Sequence, residues 1–323
     1  MLSIFKDKNV LVTGGTGTFG QNFIKTLIEK SEANKIIIFS RDELKQSQMQ
    51  VRFKDPRLRF FIGDIRDKER LDRAFKGVNC IVHAAALKQV PALEYNPFEA
   101  VKTNILGTQN VVNAAIDQGV EKVLLLSTDK AANPINLYGA TKLCAEKLFV
   151  AANSYSAGAT KLSVLRYGNV LGSRGSLLDV IKKQKLEGKL KITDERMTRF
   201  WITIDQAIVF AIKSMNLMKG GEIFVPKIPS MKIIEIFDMI APGMEVEKVG
   251  IRPGEKLHEM LLGEDEARNA KELEEVYVIE PRENLGTERE HKGVKVQEGF
   301  VYASNNNTQW LNPDQLKEMI GEK

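Results

Sequence analysis

A glycine-spaced turn near the start constrains this chain most. Asn9 to Thr13 (NVLVT) is a short apolar run with β-branched residues, and Gln21 to Lys30 carries apolar positions at helical spacing. Between them stand Gly14, Gly15, Thr16, Gly17, Thr18, Phe19 and Gly20, so Gly14, Gly17 and Gly20 form G-x-x-G-x-x-G. Glycine lets a backbone turn sharply and approach a pyrophosphate, whose charge then sits at a helix N-terminus. The spacing departs from the G-x-G-x-x-G form. The strand–turn–helix context gives this pattern its weight, since glycines alone are a weak signal.

Further apolar runs follow at regular intervals: Lys35 to Ser40, Leu58 to Ile62, Cys80 to His83, Lys122 to Ser127 and Leu162 to Arg166. Unalternating apolar runs indicate strands covered on both faces, hence a parallel sheet. Helical stretches lie between them, notably Phe98 to Gln118 and Tyr138 to Ser154. The alternation predicts an α/β fold of the Rossmann type, a doubly wound parallel sheet. The rhythm breaks near Gly168. Residues 1–168 are therefore expected to form the NADP-binding Rossmann domain. Residues 169–323 are expected to form mainly a smaller C-terminal substrate-binding lobe, with some chain returning to the first domain. Shorter elements are expected there at Leu177 to Lys185, Ile204 to Met218 and Met231 to Ile240, with a short helix from Pro313. Pro226, Pro229, Pro242 and Pro253 punctuate this half. Glu264 to Glu275 reads as a solvated, charge-rich helix, and Arg282 to Glu298 as a polar loop.

Composition excludes several classes. Of 323 residues, 43% are hydrophobic and 28% charged, which suits a globular protein with an ample core. The net charge of +5 is spread among both signs, with no basic block to bind nucleic acid. Cys80 and Cys144 have no metal-ligand spacing and both read as core or near-core residues, consistent with a reducing cytosol. His83, His258 and His291 are scattered, so no metal site is expected. Met1 to Lys8 lacks a signal-peptide layout, and no apolar window of about 18 residues predicts a membrane helix.

The end of the second strand bears on cofactor choice. An acidic residue there binds the ribose 2′-hydroxyl of NAD, whereas arginine suits the 2′-phosphate of NADP. Ser40 and Arg41 occupy that place, with Lys45 one turn on, which points to NADP; the neighbouring Asp42 leaves NAD as the alternative. Asp64, in Gly63-Asp64-Ile65, can accept from an adenine amino group. Ala84, Ala85 and Ala86 leave room for a cofactor at the sheet edge, or serve simple helix–strand packing.

Tyr138 and Lys142 are spaced i, i+4 at the start of a predicted helix and share one face. A free tyrosine, with a pKa of about 10, is a poor base at neutral pH. A nearby ammonium favours the phenolate, so Lys142 is expected to lower that value. Thr128, at the end of the preceding strand, supplies a hydroxyl for substrate. The Y-x-x-x-K spacing is common by chance; it gains meaning from the strand before it and the glycine turn upstream.

Longer motifs carry a family resemblance. They are Ser127-Thr128-Asp129-Lys130-Ala131-Ala132-Asn133-Pro134 leading to Tyr138, Arg166-Tyr167-Gly168-Asn169-Val170, and Thr198-Arg199-Phe200-Trp201. Phe224 to Lys232, Arg252-Pro253-Gly254-Glu255-Lys256-Leu257-His258-Glu259 and the asparagine-rich tail complete the set. The chain resembles extended short-chain dehydrogenase/reductases that act on nucleotide sugars. More narrowly, it resembles the 5-inverting UDP-N-acetylglucosamine 4,6-dehydratases of the pseudaminic acid pathway.

That resemblance implies a lyase whose NADP stays bound through the cycle. Tyr138 would deprotonate the C4 hydroxyl, Thr128 would hold it, and Lys142 would orient the nicotinamide ribose. Lys130 would take the C5 proton, its pKa depressed by burial, and Asp129 would protonate the departing C6 hydroxyl. The cofactor set would comprise Gly14, Thr16, Gly17, Thr18, Phe19, Gly20, Ser40, Arg41, Lys45, Asp64, Ile65, Ala84, Ala85, Ala86, Asn104, Tyr138, Lys142 and Val170. Arg174 and Arg252 would clamp the UDP diphosphate. Lys88, Asn169, Glu255 and Asn305, Asn306, Asn307 and Thr308 would face substrate; Arg199 could do so or form a structural ion pair. The resemblance also implies a cytoplasmic homo-oligomer, as a hexamer. A UDP-sugar C4 epimerase, a simple reductase consuming NADPH and a non-catalytic NADP-binding scaffold are the rival expectations.

Overall fold

A computed structural model describes residues 1–172, 177–281 and 290–320. In the first half strands and helices alternate: β1 (Asn9–Thr13), α1 (Thr18–Lys30), β2 (Lys35–Ser40), α2 (Glu43–Arg52), β3 (Leu58–Ile62), α3 (Lys68–Phe75) and β4 (Cys80–His83). Then come α4 (Val90–Tyr95), α5 (Pro97–Ala100), a π-helical turn over Val101–Leu106, α6 (Gly107–Asp117) and β5 (Lys122–Thr128). A 3-10 turn over Asp129–Ala131 leads to α7 (Leu137–Ala152) and β6 (Lys161–Tyr167). The predicted stretch Phe98 to Gln118 is thus broken by π geometry.

In the second half the elements are short: β7 (Asn169–Val170), α8 (Leu177–Leu186), β8 (Leu190–Ile192), β9 (Thr198–Ile202), α9 (Ile204–Leu217), β10 (Ile223–Pro226), β11 (Ser230–Lys232), α10 (Ile233–Ile240) and β12 (Val246–Lys248). They continue as β13 (Met260–Leu262), α11 (Glu264–Ala267), β14 (Ala270–Glu272), β15 (Val276–Ile279), β16 (Val294–Lys295), β17 (Tyr302–Ala303) and α12 (Pro313–Ile320).

The main sheet runs β16-β14-β15-β10-β6-β5-β4-β1-β2-β3. The seven strands from β3 across to β10 pair in parallel, and β15, β14 and β16 extend the edge antiparallel. Chain order reverses between β1 and β4, the switch point where open α/β sheets take ligands. Apolar side chains of β1, β2, β4, β5 and β6 fill the central core from both faces. A second core gathers Leu178 and Ile181 of α8, Leu190 and Ile192 of β8, Trp201 of β9 and Ile236, Phe237 and Ile240 of α10. The later chain therefore builds its own core and also returns four strands to the main sheet.

Two expectations fail. Glu264 to Glu275 is one turn of helix followed by β14, because Ala270 and Ala267 are buried against the sheet edge. Cys144 is exposed on α7 while Cys80 is buried; the helix turns Thr141, Lys142, Ala145 and Glu146 inward instead. Of the expected loop Arg282 to Glu298, residues 282–289 lie outside the described chain, and Val294–Lys295 pairs as a strand.

Candidate active site

The glycine turn joins β1 to α1 and meets the segment after β4. Gly14 has φ +65°, and a Cβ there would stand 2.8 Å from the backbone nitrogen of Ala85. A Cβ on Gly20 would stand 2.6 Å from Gly15 Cα. This backbone cradle excludes side chains, as a pyrophosphate of a nicotinamide dinucleotide requires. Gly17 caps α1 without a side-chain acceptor, so the first-turn N–H groups are not consumed by a cap. Thr16 is buried and its carbonyl accepts from Gln21, while Phe19 stacks on Phe23 at 5.6 Å. Thr18 is the first residue of α1. Ala84 and Ala85 are half-buried and Ala86 exposed beside this turn. Below it, His83 lies between the Thr13 hydroxyl (2.6 Å) and the Thr108 hydroxyl (3.1 Å). Burial, aided by the Lys142 charge, lowers its pKa to about 3.

At the end of β2, Ser40 is buried and its hydroxyl accepts from Gln46 at 3.0 Å. Asp42 caps α2, accepting from the Lys45 N–H at 2.9 Å, and its second oxygen pairs with the Lys45 ammonium. Lys45 therefore meets its own helix cap. Arg41 is exposed, 3.5 Å from Asp64. Asp64 accepts from the Arg66 guanidinium at 2.7 and 2.9 Å; although burial works against it, these bonds hold its pKa below the usual range. Ile65 packs on Gly107. Asn104, in the π-helical turn, is buried; its amide pairs with the N–H and carbonyl of Leu87 (both 2.9 Å) and donates to Thr141 Oγ1 (3.0 Å). Asn104 thus ties the segment carrying Ala84 to Lys88 onto α7.

The reactive groups gather at the end of β5. Thr128 donates to Asp129 Oδ1 at 2.9 Å, and Lys130 Nζ donates to the same oxygen at 3.0 Å. Asn136 caps α7, accepting from the Gly139 N–H at 2.8 Å. A Cβ on Gly139 would fall 2.1 Å from the Lys130 carbonyl oxygen, so only glycine lets α7 seat against this turn. Tyr138 is thereby brought beside Thr128, whose hydroxyl favours its phenolate.

Both charge expectations change. Burial pushes the Tyr138 phenol up to about 12, with Lys130 pulling down and Asp129 pushing up. Lys142 is turned elsewhere: its buried ammonium donates to the Leu126 carbonyl at 2.8 Å, and burial lowers its own pKa to about 8. Lys130 is not depressed either. Burial pulls its pKa down, but Asp129 and Glu259, 3.0 and 3.2 Å away, outweigh burial and hold it above the usual lysine value. Asp129 is raised, mainly by burial.

Of the expected substrate residues, Lys88 and Arg252 are exposed, and Asn169 and Val170 lie half-buried in β7 against β9. Arg174 lies outside the described residues. Arg199 is buried and donates to the carbonyls of Thr198, Lys256 and Leu257, at 2.8, 2.9 and 3.0 Å, organising the segment that carries Glu255. Asn306 and Asn307 bond to their own tail and to Ile228 and Ser230; Asn305 and Thr308 are exposed. Glu259, Lys256, Gly139 and the buried pair Arg166–Glu146 have no role assigned from the sequence, although Arg166, Lys256 and Glu259 stand in its motifs. Glu259 carries a signal: it stands next to the apolar run Met260–Leu262.

Fold and site together define an extended short-chain dehydrogenase/reductase. Residues 10–281 match the model of the family described as polysaccharide biosynthesis protein, and the chain belongs to that family. It is 50% identical to the UDP-N-acetylglucosamine 4,6-dehydratase (inverting) of Campylobacter jejuni (strain ATCC 700819), over 98% of both chains. A UDP-glucose 4-epimerase of Rickettsia rickettsii is 40% identical, over 98% of this chain and 96% of that one. The solved structure of Pen from Bacillus thuringiensis superposes with a TM-score of 0.88 at 38% identity, over 98% of each chain. DesIV, a dTDP-glucose 4,6-dehydratase from Streptomyces venezuelae solved with NAD and TYD bound, gives 0.68 at 26% identity, over 77% of this chain and 86% of that one.

Proposed function

We propose that this chain is a UDP-N-acetylglucosamine 4,6-dehydratase that inverts C5, a hydro-lyase. The observation that carries the proposal is the Asp129–Lys130 pair, joined at 3.0 Å and set beside Thr128 and Tyr138. A C4 epimerase needs the tyrosine but no such acid and base. A nicotinamide dinucleotide held by the Gly14–Gly20 turn would supply the hydride acceptor at C4 and the hydride donor at C6. Tyr138 takes the C4 hydroxyl proton as its phenolate, the form that the Lys130 ammonium and the Thr128 hydroxyl favour against burial, and Thr128 holds the C4 oxygen. The ketone formed at C4 acidifies the C5 proton. Moving one proton from Lys130 to Asp129 along their hydrogen bond makes an amine base and a carboxylic acid together, with no net charge buried. Lys130 then takes the C5 proton, and Asp129 gives its proton to the C6 hydroxyl, which leaves as water. The pair returns to its starting charge. Protonation of C5 from the opposite face completes inversion.

Ser40 and Arg41 support NADP, since the carboxylate of Asp42 is engaged by Lys45. The glycine cradle and Ala84–Ala86 support residues 1–168 as the cofactor-binding part. The second core supports 169–323 as mainly a substrate-binding lobe. With this proposal go a pseudaminic acid pathway, a cytoplasmic location and a homo-oligomer, as a hexamer. No described helix is long and apolar enough to cross a membrane.

The test is incubation with UDP-N-acetylglucosamine in D₂O, without added reductant, followed by mass spectrometry and NMR. Loss of one water with deuterium at an inverted C5 is expected. Unchanged mass with an altered C4 signal would establish the epimerase, the reading that the Rickettsia relative favours. Turnover only with added NADPH would mark a reductase, and no turnover under any condition a scaffold.

A further inference from the structure

The 3-10 turn after β5 supplies Asp129 and Lys130, but the lysine has a second acidic neighbour that comes from far along the chain. Glu259 lies just before β13, and its Oε1 stands 3.2 Å from Lys130 Nζ. Its residue is 2% exposed. Such a carboxylate is costly to bury and persists only where charges balance it. Arg199 Nε of β9 lies 3.8 Å away and Lys256 Nζ 4.0 Å away. Lys256 also donates to the Ala132 carbonyl at 2.6 Å, fastening this segment to the Asp129–Lys130 turn. Asn136 fastens it again, donating to the Gly254 carbonyl at 2.8 Å. The Glu259 backbone is held too, by Ser304 on both its N–H (2.9 Å) and its carbonyl (2.8 Å).

We propose that Glu259 is a positioning residue for the elimination step: it fixes the Lys130 ammonium from a second side and supplies the negative charge that sets when Lys130 and Asp129 exchange and release protons. This rests on the dehydratase reading above. The charged and titratable groups facing this centre are Asp129, Lys130 and Tyr138 from the β5–α7 turn, Arg199 from β9, and Glu255, Lys256 and Glu259 from the segment before β13. Two carboxylates share one ammonium, so one is favoured as the acid and the other as the anion. Asp129 is the raised one: burial raises it and Glu259 adds to that against the pull of Lys130. Glu259 is the lowered one, since Lys130, Arg199 and Lys256 together outweigh the opposing effect of burial. One oxygen of each carboxylate, Asp129 Oδ2 and Glu259 Oε2, is buried without a hydrogen-bond partner in the protein. Each therefore retains acceptor capacity inside the centre rather than being spent on structure.

The active form of the Asp129–Lys130 pair carries one shared proton. Removing the Glu259 charge lowers the pKa of both members, so both limbs of the pH–rate profile should move to lower pH. Glu259→Gln keeps the shape and removes the charge. In the full-length, cofactor-loaded enzyme it should cut kcat by roughly 10- to 100-fold at neutral pH, change KM little, and bring an alkaline limb into view. Glu259→Asp keeps the charge and shortens the reach; kcat should fall while both limbs stay in place. Lysine-selective ¹⁵N NMR of the ligand-free protein, with Lys130 assigned through Lys130→Arg, should show the ammonium titrating at lower pH in Glu259→Gln. That measurement needs no substrate, so it judges the inference even if the wild-type chain does not dehydrate, an outcome that would sink the dehydratase reading alone. A folded Glu259→Gln with unmoved limbs and an unmoved Lys130 signal overturns the inference, whatever its rate. If Glu259→Gln does not fold, Glu259→Asp decides: displaced limbs overturn the inference, and reduced kcat with fixed limbs supports it.

Discussion

The cofactor turn and the acid–base centre sit near each other and are built in opposite ways. The turn is shaped by backbone: Gly14 and Gly20 admit no side chain, and the buried histidine beneath, His83, is held neutral. The centre is shaped by charge: Asp129, Lys130, Arg199, Lys256 and Glu259 meet from three separate parts of the chain. One site is a local shape that few residues specify. The other is a balance of ions, in which each member's protonation depends on all the others. A shape tolerates changes in pH and fails on added volume; a charge balance behaves the other way.

The largest effect should come from the centre. Tyr138→Phe removes the proton acceptor for the C4 hydroxyl, and kcat should fall by about 10²- to 10⁴-fold with cofactor binding intact. Loss of cofactor binding instead would show that the two sites are not separable. Gly14→Val attacks the shape. With φ at +65° and Ala85 N at 2.8 Å from the new Cβ, cofactor affinity should drop by at least about 10-fold, as measured by calorimetry on the cofactor-free protein. An unchanged affinity would mean that the cofactor does not rest on this turn.

A smaller effect concerns pH and stability. His83 has a folded pKa depressed to about 3 by burial and by Lys142. Below about 6.5 the unfolded chain takes up a proton that the folded chain refuses. Its stabilising contribution is therefore full above pH 6.5 and declines as pH falls toward 3. His83→Gln should flatten the acid side of the stability curve by an amount on the order of 1–3 kcal/mol, read from urea unfolding at several pH values. The smallest change is Arg41→Ala. If Arg41 meets the 2′-phosphate, the preference for NADP over NAD should fall by about 10-fold, with little change toward NAD. An equal loss for both cofactors would assign Arg41 to general charge.

The sequence patterns predicted six parallel strands, and all six occur in the parallel part of the sheet. Apolar runs covered on both faces have few other solutions. The C-terminal half carries weaker local patterns because its strands are mostly two to four residues long, and partners such as Met260 with Ala303 are far apart in sequence. Such elements exist only through their neighbours. The π geometry at Val101–Leu106 carried no local signal either; Asn104, within it, bonds to Leu87 and Thr141, both outside its own helix.

By itself the sequence determined the parallel α/β sheet, the glycine turn and the nearness of Thr128, Asp129, Lys130, Tyr138 and Lys142. These follow from short-range spacing, where backbone geometry dictates what shares a face or a turn. Only the tertiary structure decided the charges. Lys142 is helically placed to assist Tyr138, yet its ammonium reaches the Leu126 carbonyl. Lys130 is half-buried, yet Asp129 beside it and Glu259, more than a hundred residues away, hold it charged. A pKa reflects every charge within a few ångströms in a poorly screened interior, and that set is known only once distant segments have been folded together.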